Sequence, residues 1–402
     1  MGEQNAFNFD FQEVVKTVEK TTADLFENLT DTFVGKAETL RDGTEFEPVN
    51  LPRDLYAHRN AQTEWWYYTG HGTTTSGKQF GFELVFFKRR TDLDKFSLVP
   101  LRLFGNPLFF AHFAITEIDE KKFRYAHRKS ANGFFDYPAS ASETHFHLRL
   151  GDWSLRESHG AHILRATANN VVFEADLKPT KPPVFNGKEM KGVSYKDEGE
   201  ASRYFSYTRM EMEGDLIWNG TTEHFTGSAW MDREFGTWTP TENQKGWDWF
   251  SIQLDNNCEV MCYQLRDSEG TASKFSSGTY VNENGDFEHL THEDFSIEPV
   301  GYWKSPRTNA TYPSVWRVKV PKMGLDLNVA PVMEDQELDT RGTTMIIYWE
   351  GACEVAGKAG EADVKGRAYV EMVGYDRSHD QPNLAYFLMG SQFEFPPKSF
   401  FG

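Results

Sequence analysis

Phe225-Thr-Gly-Ser-Ala-Trp-Met-Asp232 and Val364-Lys-Gly-Arg-Ala-Tyr-Val-Glu371 read alike, each running Gly-x-Ala-aromatic-apolar-carboxylate. Upstream, Glu213-Gly214 lies 13 positions before Gly227 and Glu350-Gly351 lies 15 before Gly366, which extends the match to a second carboxylate-Gly pair. Further back, Glu64-Trp-Trp-Tyr-Tyr68 followed by Phe80-Gly-Phe-Glu-Leu-Val-Phe-Phe87 finds a counterpart in Gly246-Trp-Asp-Trp-Phe250 followed by Glu259-Val-Met-Cys-Tyr-Gln264. One β-rich unit is written twice, so function is sought in what the two copies share.

From about Asn50 the chain consists of short aromatic and β-branched runs cut by turn signals such as Ser76-Gly77, Asn186-Gly187 and Asn284-Gly285. No βαβ alternation occurs, which sets aside Rossmann and TIM-type enzymes. The expected fold is all-β: two consecutive antiparallel barrels, over 49–238 and 239–402, with the junction at Phe235–Lys245 around Pro240. Ahead of them, 1–48 carries the one helical pattern, in which Val14, Val18, Leu25, Leu29 and Phe33 recur at helical spacing. That helix is amphipathic but acidic, so the expectation is docking on the body or pairing with a second copy in a homodimer, and not a membrane anchor.

The formal net charge of −18 over 402 residues, without a Lys/Arg cluster, excludes nucleic acid as a partner. Mean hydropathy is −0.60 and no apolar run reaches the span of a membrane helix. The start Met1–Asn8 has neither a basic nor an apolar segment, so the expected location is the cytoplasm, or the periphery of membranes that hold a greasy substrate. Cys258, Cys262 and Cys353 fit neither a disulfide framework nor a zinc site, and His145-Phe-His147 lacks a third ligand; no metal is expected.

Side chains alternate along a strand, so Trp230 and Asp232 share one face while Ala229, Met231 and Arg233 share the other. A face lining an aromatic barrel lumen would desolvate Asp232, raise its pKa and make it a general acid. Tyr369 and Glu371 hold the same places in the second copy. Duplicated sites rarely both stay reactive, so Glu371 is expected to be the more structural, and its loss the more destabilising. Glu64 beside Trp65 and Trp66 needs a partner, an Arg from elsewhere being the simplest, and His112 stands alone in the apolar run Phe109–Ile115. There is no phosphate-cradling loop, no Gly-x-Ser-x-Gly elbow and no catalytic cysteine context.

Taken together, Glu64-Trp-Trp-Tyr-Tyr-Thr-Gly70, Trp230-Met-Asp-Arg-Glu-Phe-Gly236, Gly246-Trp-Asp-Trp-Phe250, Tyr348-Trp-Glu-Gly351 and Tyr369-Val-Glu-Met-Val-Gly-Tyr375 resemble the carotenoid 1,2-hydratase and AttH-like lipocalin-type family over about 50–395. The resemblance implies two lipocalin-like (calycin) barrels. It also implies cofactor-free addition of water to an alkene of a polyene or isoprenoid, with Asp232 as proton donor; Trp230 and Tyr204 are then expected to stabilise the cation through their ring faces. The family's His-x-Trp pair is absent: the comparable strand reads Ser202-Arg-Tyr-Phe-Ser-Tyr207. Substrate contacts are expected from Glu64, Trp65, Trp66, Tyr68, His112, Glu234, Trp247, Trp249, Gln264, Tyr348, Trp349 and Glu371. Two alternatives share the cavity, a cyclase that folds a polyene on aromatic walls and a carrier that binds lipid or pigment without reaction.

Overall fold

The computed structural model describes residues 11–376 apart from 34, 39–45, 97, 131–136, 219, 238–243 and 268. The middle of the expected junction and the side chain of Val14 lie outside these. A 13-stranded antiparallel sheet runs from Thr63 to Gly236, and a 10-stranded one from Gln244 to Val373. Each closes in the same way. In the first, the opening strand Thr63–Thr74 sits between its successor Gln79–Arg89 and the final strand Thr221–Gly236. In the second, Gln244–Leu254 sits between Glu259–Asp267 and Ala362–Val373. Pairing the first strand of a unit with its last draws each sheet round into a barrel.

This closure explains the duplicated motif. Gly227 faces Gly72 and Gly366 faces Leu254 on the respective opening strands. A Cβ at either position would run into a carbonyl oxygen of that strand, His71 O or Gln253 O, so only glycine lets the pair approach. Past the glycines, Tyr67 stands opposite Asp232 and Trp249 opposite Glu371. The two carboxylates are thus structural equivalents.

The carboxylate-Gly pairs are not. Gly214 faces Phe225, two residues before Gly227, whereas the residue facing Val364, two before Gly366, is Gly357. The first hairpin is longer, with four steps from Gly214 to Trp218 at its tip against two from Gly357 to Ala359, so equal spacing in sequence is not equal place in the fold. The residue facing Glu371 is Glu350, and the one facing Asp232 is Ser206.

Each barrel is filled by its own core. Trp66, Tyr68, Phe80, Phe82, Phe113, Trp153, Phe173 and Met231 pack inside the first, and Phe250, Cys262, Trp316, Trp349, Val370 and Met372 inside the second. The neighbouring positions on the same strands are apolar too, because they meet the other barrel: Tyr67, Val85, Tyr204, Trp230, Trp249, Tyr263 and Tyr369 form one buried cluster between the two. At Gly81 the barrels approach so closely that a Cβ would stand 2.5 Å from the Cβ of Ala352.

The N-terminal helix, Phe11–Phe33, docks on the first barrel by its acidic side, through Glu27 and Asp31 on the buried guanidinium of Arg102. The apolar stripe is not what docks. Val18, Leu25, Leu29 and Phe33 are all exposed, Phe33 at 78%. Charge pairing with Arg102 selects the opposite face from the one that hydrophobic periodicity marks. Among the described residues no helix is long and apolar enough to cross a membrane.

Candidate active site

The two lumens being full, the cavity of interest, about 370 Å³, lies between the barrels, on the outer faces of their closing strands. The face of Asp232 thus meets the second barrel and not a lumen. Alternation decides its lining. From the first barrel come Trp65 and Tyr67, then Glu83, Val85 and Phe87, then Tyr204, Asp232 and Glu234. The second supplies Trp247 and Trp249, Tyr263, Tyr348, Glu350 and Glu371.

Asp232 is 3% exposed and saturated with donors. Its Oδ1 accepts from the Ser206 hydroxyl at 2.6 Å and the Trp230 indole N–H at 2.7 Å; its Oδ2 accepts from Tyr204 at 2.5 Å. The Tyr204 hydroxyl in turn accepts from the Trp249 indole at 3.1 Å, so the second barrel helps orient it. Burial pushes the carboxyl up and the three donors pull it back, leaving it at about 6. Trp230 thus serves Asp232 by its N–H and packs edge-on against Trp249, with ring centroids 6.3 Å apart.

Glu371, its equivalent, has one donor, Trp247 Nε1 at 3.1 Å, and burial carries it to about 7. Glu350 accepts from Tyr67 at 2.7 Å across the barrel boundary and leaves its other oxygen unbonded. Neither oxygen of Glu83 meets a hydrogen-bond partner among the described residues. Burial, then the charge of Glu371 on both and that of Glu83 on Glu350, drives Glu83 and Glu350 well above the carboxylate range. Glu234 is different in kind, paired with Lys196 at 2.9 Å.

Of the residues singled out in sequence, Tyr204, Asp232, Trp65, His112, Glu234, Trp247, Trp249, Tyr348 and Glu371 line this cavity. His112 is satisfied, its ring nitrogens sharing hydrogen bonds with Tyr348 OH (2.8 Å) and Thr343 Oγ1 (3.0 Å). Burial and the neighbouring His127 hold it neutral, well below its ordinary pKa.

Five others lie elsewhere, for one reason: they occupy the alternate face. Trp66 and Tyr68 point into the first barrel, bonded to Leu55 O and His162. Trp349 points into the second, its indole donating to Glu334 O at 2.6 Å. Gln264 is half-buried on the strand face of Cys262, opposite Asp248, and off the cavity. Glu64 does find its arginine. It binds Arg233 at 2.5 Å and Lys88 at 2.7 Å; burial opposes its charge, but the two cations outweigh it and keep the carboxyl well below the usual range.

Sequence reasoning passed over Tyr67, Glu83, Glu350 and Lys196. Glu83 carried a signal, a lone acid inside the apolar run Phe80–Phe87. Lys196, on the short strand Val193–Asp197, carried none.

The description of the AttH-like family matches residues 42–375. Among solved structures, a protein described as an AttH from Nitrosomonas europaea is 28% identical, with a TM-score of 0.73 over 84% of this chain and 99% of that one. Kievitone hydratase from Nectria haematococca, 16% identical, superposes with a TM-score of 0.65 over 84% of this chain and 97% of that one, a likeness of fold alone. No curated protein sequence matches. On its duplicated strands and on the family match over most of its length, the chain belongs to the AttH-like family.

Proposed function

We propose that the protein is an enzyme that adds water across a carbon–carbon double bond of an apolar, isoprenoid-type substrate held between the barrels. The observation that carries this is Asp232. A proton donor to an alkene must be able to hold a proton near neutral pH yet leave a stabilised anion; burial raises the pKa toward neutrality, and Tyr204, Ser206 and Trp230 stabilise the anion. With a pKa of about 6, roughly one molecule in ten holds the proton at pH 7, a usable fraction for a general acid.

In this reading the π pair takes the Asp232 proton, forming a C–H bond and leaving a cation on the more substituted carbon. Trp249 and Tyr204 line the cavity beside Asp232, and aromatic rings there would stabilise such a cation. Water then forms the C–O bond and returns a proton to the Asp232 carboxylate, which closes the cycle with the chain's own groups. A neighbour of the same fold that bears the name of a hydratase supports the reaction class by analogy only.

Incubation with a panel of isoprenoid alkenes in heavy-oxygen water, followed by mass spectrometry, distinguishes the readings. Hydration adds the mass of one labelled water. An isomer of unchanged mass and altered retention favours a cyclase, and unaltered ligand bound tightly favours a carrier.

A further inference from the structure

Five carboxyl groups border one aromatic cavity, and two of them, Asp232 and Glu234, are partnered by donors or by Lys196. The other three lie together where strand Gln79–Arg89 meets the second barrel: Glu83, Glu350 and Glu371, all three on the cavity wall. Between them they have two donors, Tyr67 OH and Trp247 Nε1. Glu83, fully buried, has none, and among the described residues no lysine or arginine reaches it.

A buried carboxyl without a partner is costly and calls for an explanation in a native structure. The remaining cations of the wall are already bound, Arg89 to Asp94 at 2.7 Å and Lys196 to Glu234. The cross-strand neighbours of Glu83 are Thr69 and Ala114, and the titratable groups that interact with its charge are Tyr67, Tyr348, Tyr369, Glu350 and Glu371. Aromatic side chains with uncompensated carboxyls among them are the chemistry that recognises an ammonium group.

We propose that the ligand of this cavity carries a basic nitrogen, protonated when bound, that seats against Glu83 and is enclosed by Tyr67 and Tyr348. The inference rests on the cavity being the ligand site and deepens that reading by naming a substrate class, apolar amines. Glu83 stands two strands from Asp232, since Asp232 faces Tyr67, Tyr67 faces Val85, and Glu83 is one pleat along from Val85. Two strand spacings across and one pleat along set the amine seat about 12 Å from the acid, so the ligand would place its double bond and its nitrogen at opposite ends. Burial favours the neutral form of Glu83 and Glu350 and carries Glu371 to about 7, so a cation seated among them would draw these carboxyls into their charged form.

The test uses two probes of like shape, N,N-dimethylgeranylamine and geranyl methyl ether, titrated against the full chain with the cavity tryptophans as reporter. At pH 7 the amine should bind at least tenfold more tightly, and Glu83→Gln should close that gap while leaving the ether unchanged. Should Glu83→Gln not fold, Glu83→Asp, which withdraws the charge by one methylene, must weaken the amine alone. Equal affinities in the wild type, or a preference that survives in Glu83→Gln, overturn the proposal. Water addition with no amine preference leaves the hydratase reading standing without this inference, and amine preference without water addition does the reverse.

Discussion

Asp232 and Glu371 occupy equivalent places, yet one accepts three hydrogen bonds and the other one. That difference reverses the expectation drawn from duplication about which substitution costs the more stability. Asp232→Asn sets an NH2 among groups that donate, leaving at least one of them unpaired in a buried site, and should lower stability by about 1–3 kcal/mol, read from denaturant melts. Glu371→Gln removes a poorly satisfied carboxyl and should leave stability at pH 7 unchanged or higher. Its pH dependence follows from the sign of its shift. The folded-state pKa, about 7, lies above that of an unfolded glutamate, so its contribution is fully present below about 4.5 and is lost as pH rises through 7. The wild type should therefore lose stability between pH 5 and 7.5, and Glu371→Gln should flatten that slope by an amount on the order of 3 kcal/mol at most. Identical slopes in the two proteins would contradict this account of Glu371.

At the scale of strands, period-two alternation correctly separated Trp230 and Asp232 from Met231 and Arg233, because it needs only the strand itself. It could not say which face met a lumen and which met a neighbour. Both faces of Thr63–Thr74 are apolar, one packing on Phe82 and Phe113 and the other on the second barrel, so Trp65 and Trp66 looked alike in sequence and part ways in the fold. The repeat likewise revealed the closing strands but misplaced Gly214 against Gly351, since hairpin length is set by turns and not by the motif. Lys196 and Ser206 reached the site from a short strand and a long one with no local mark. The strand most sensitive to the union of the barrels is Gln79–Arg89, at Gly81. Gly81→Val would force branched carbons against Ala352 and push the barrels apart, costing about 1–3 kcal/mol and weakening the Tyr67–Glu350 bond. Thermal melts and ligand titration should fall together, and an unperturbed melt would show that the barrels have room to part.

Over the whole molecule, the buried cluster between the barrels, with Glu259 held by Lys181 (2.8 Å) and Arg209 (2.5 Å) across the same boundary, ties two cores into one. Calorimetry should show a single unfolding transition, and two resolved transitions would mean that the boundary contributes little. The N-terminal helix leaves Val18, Leu25, Leu29 and Phe33 in solvent, the surface that a homodimer formed through this helix would cover. Native mass spectrometry should then show a dimer that Leu25→Glu with Leu29→Glu converts to monomer, and a wild-type monomer would end that reading. The central claim is that chemistry occurs between the barrels at Asp232, and it is most directly tested by kcat/KM against pH for wild type and Asp232→Asn on an alkene that the wild type hydrates. The acid acts in its protonated form, so wild-type activity should fall as pH rises through about 6, and Asp232→Asn should bind the substrate without turning it over. Turnover by Asp232→Asn at the wild-type rate, with the same pH profile, would contradict the account.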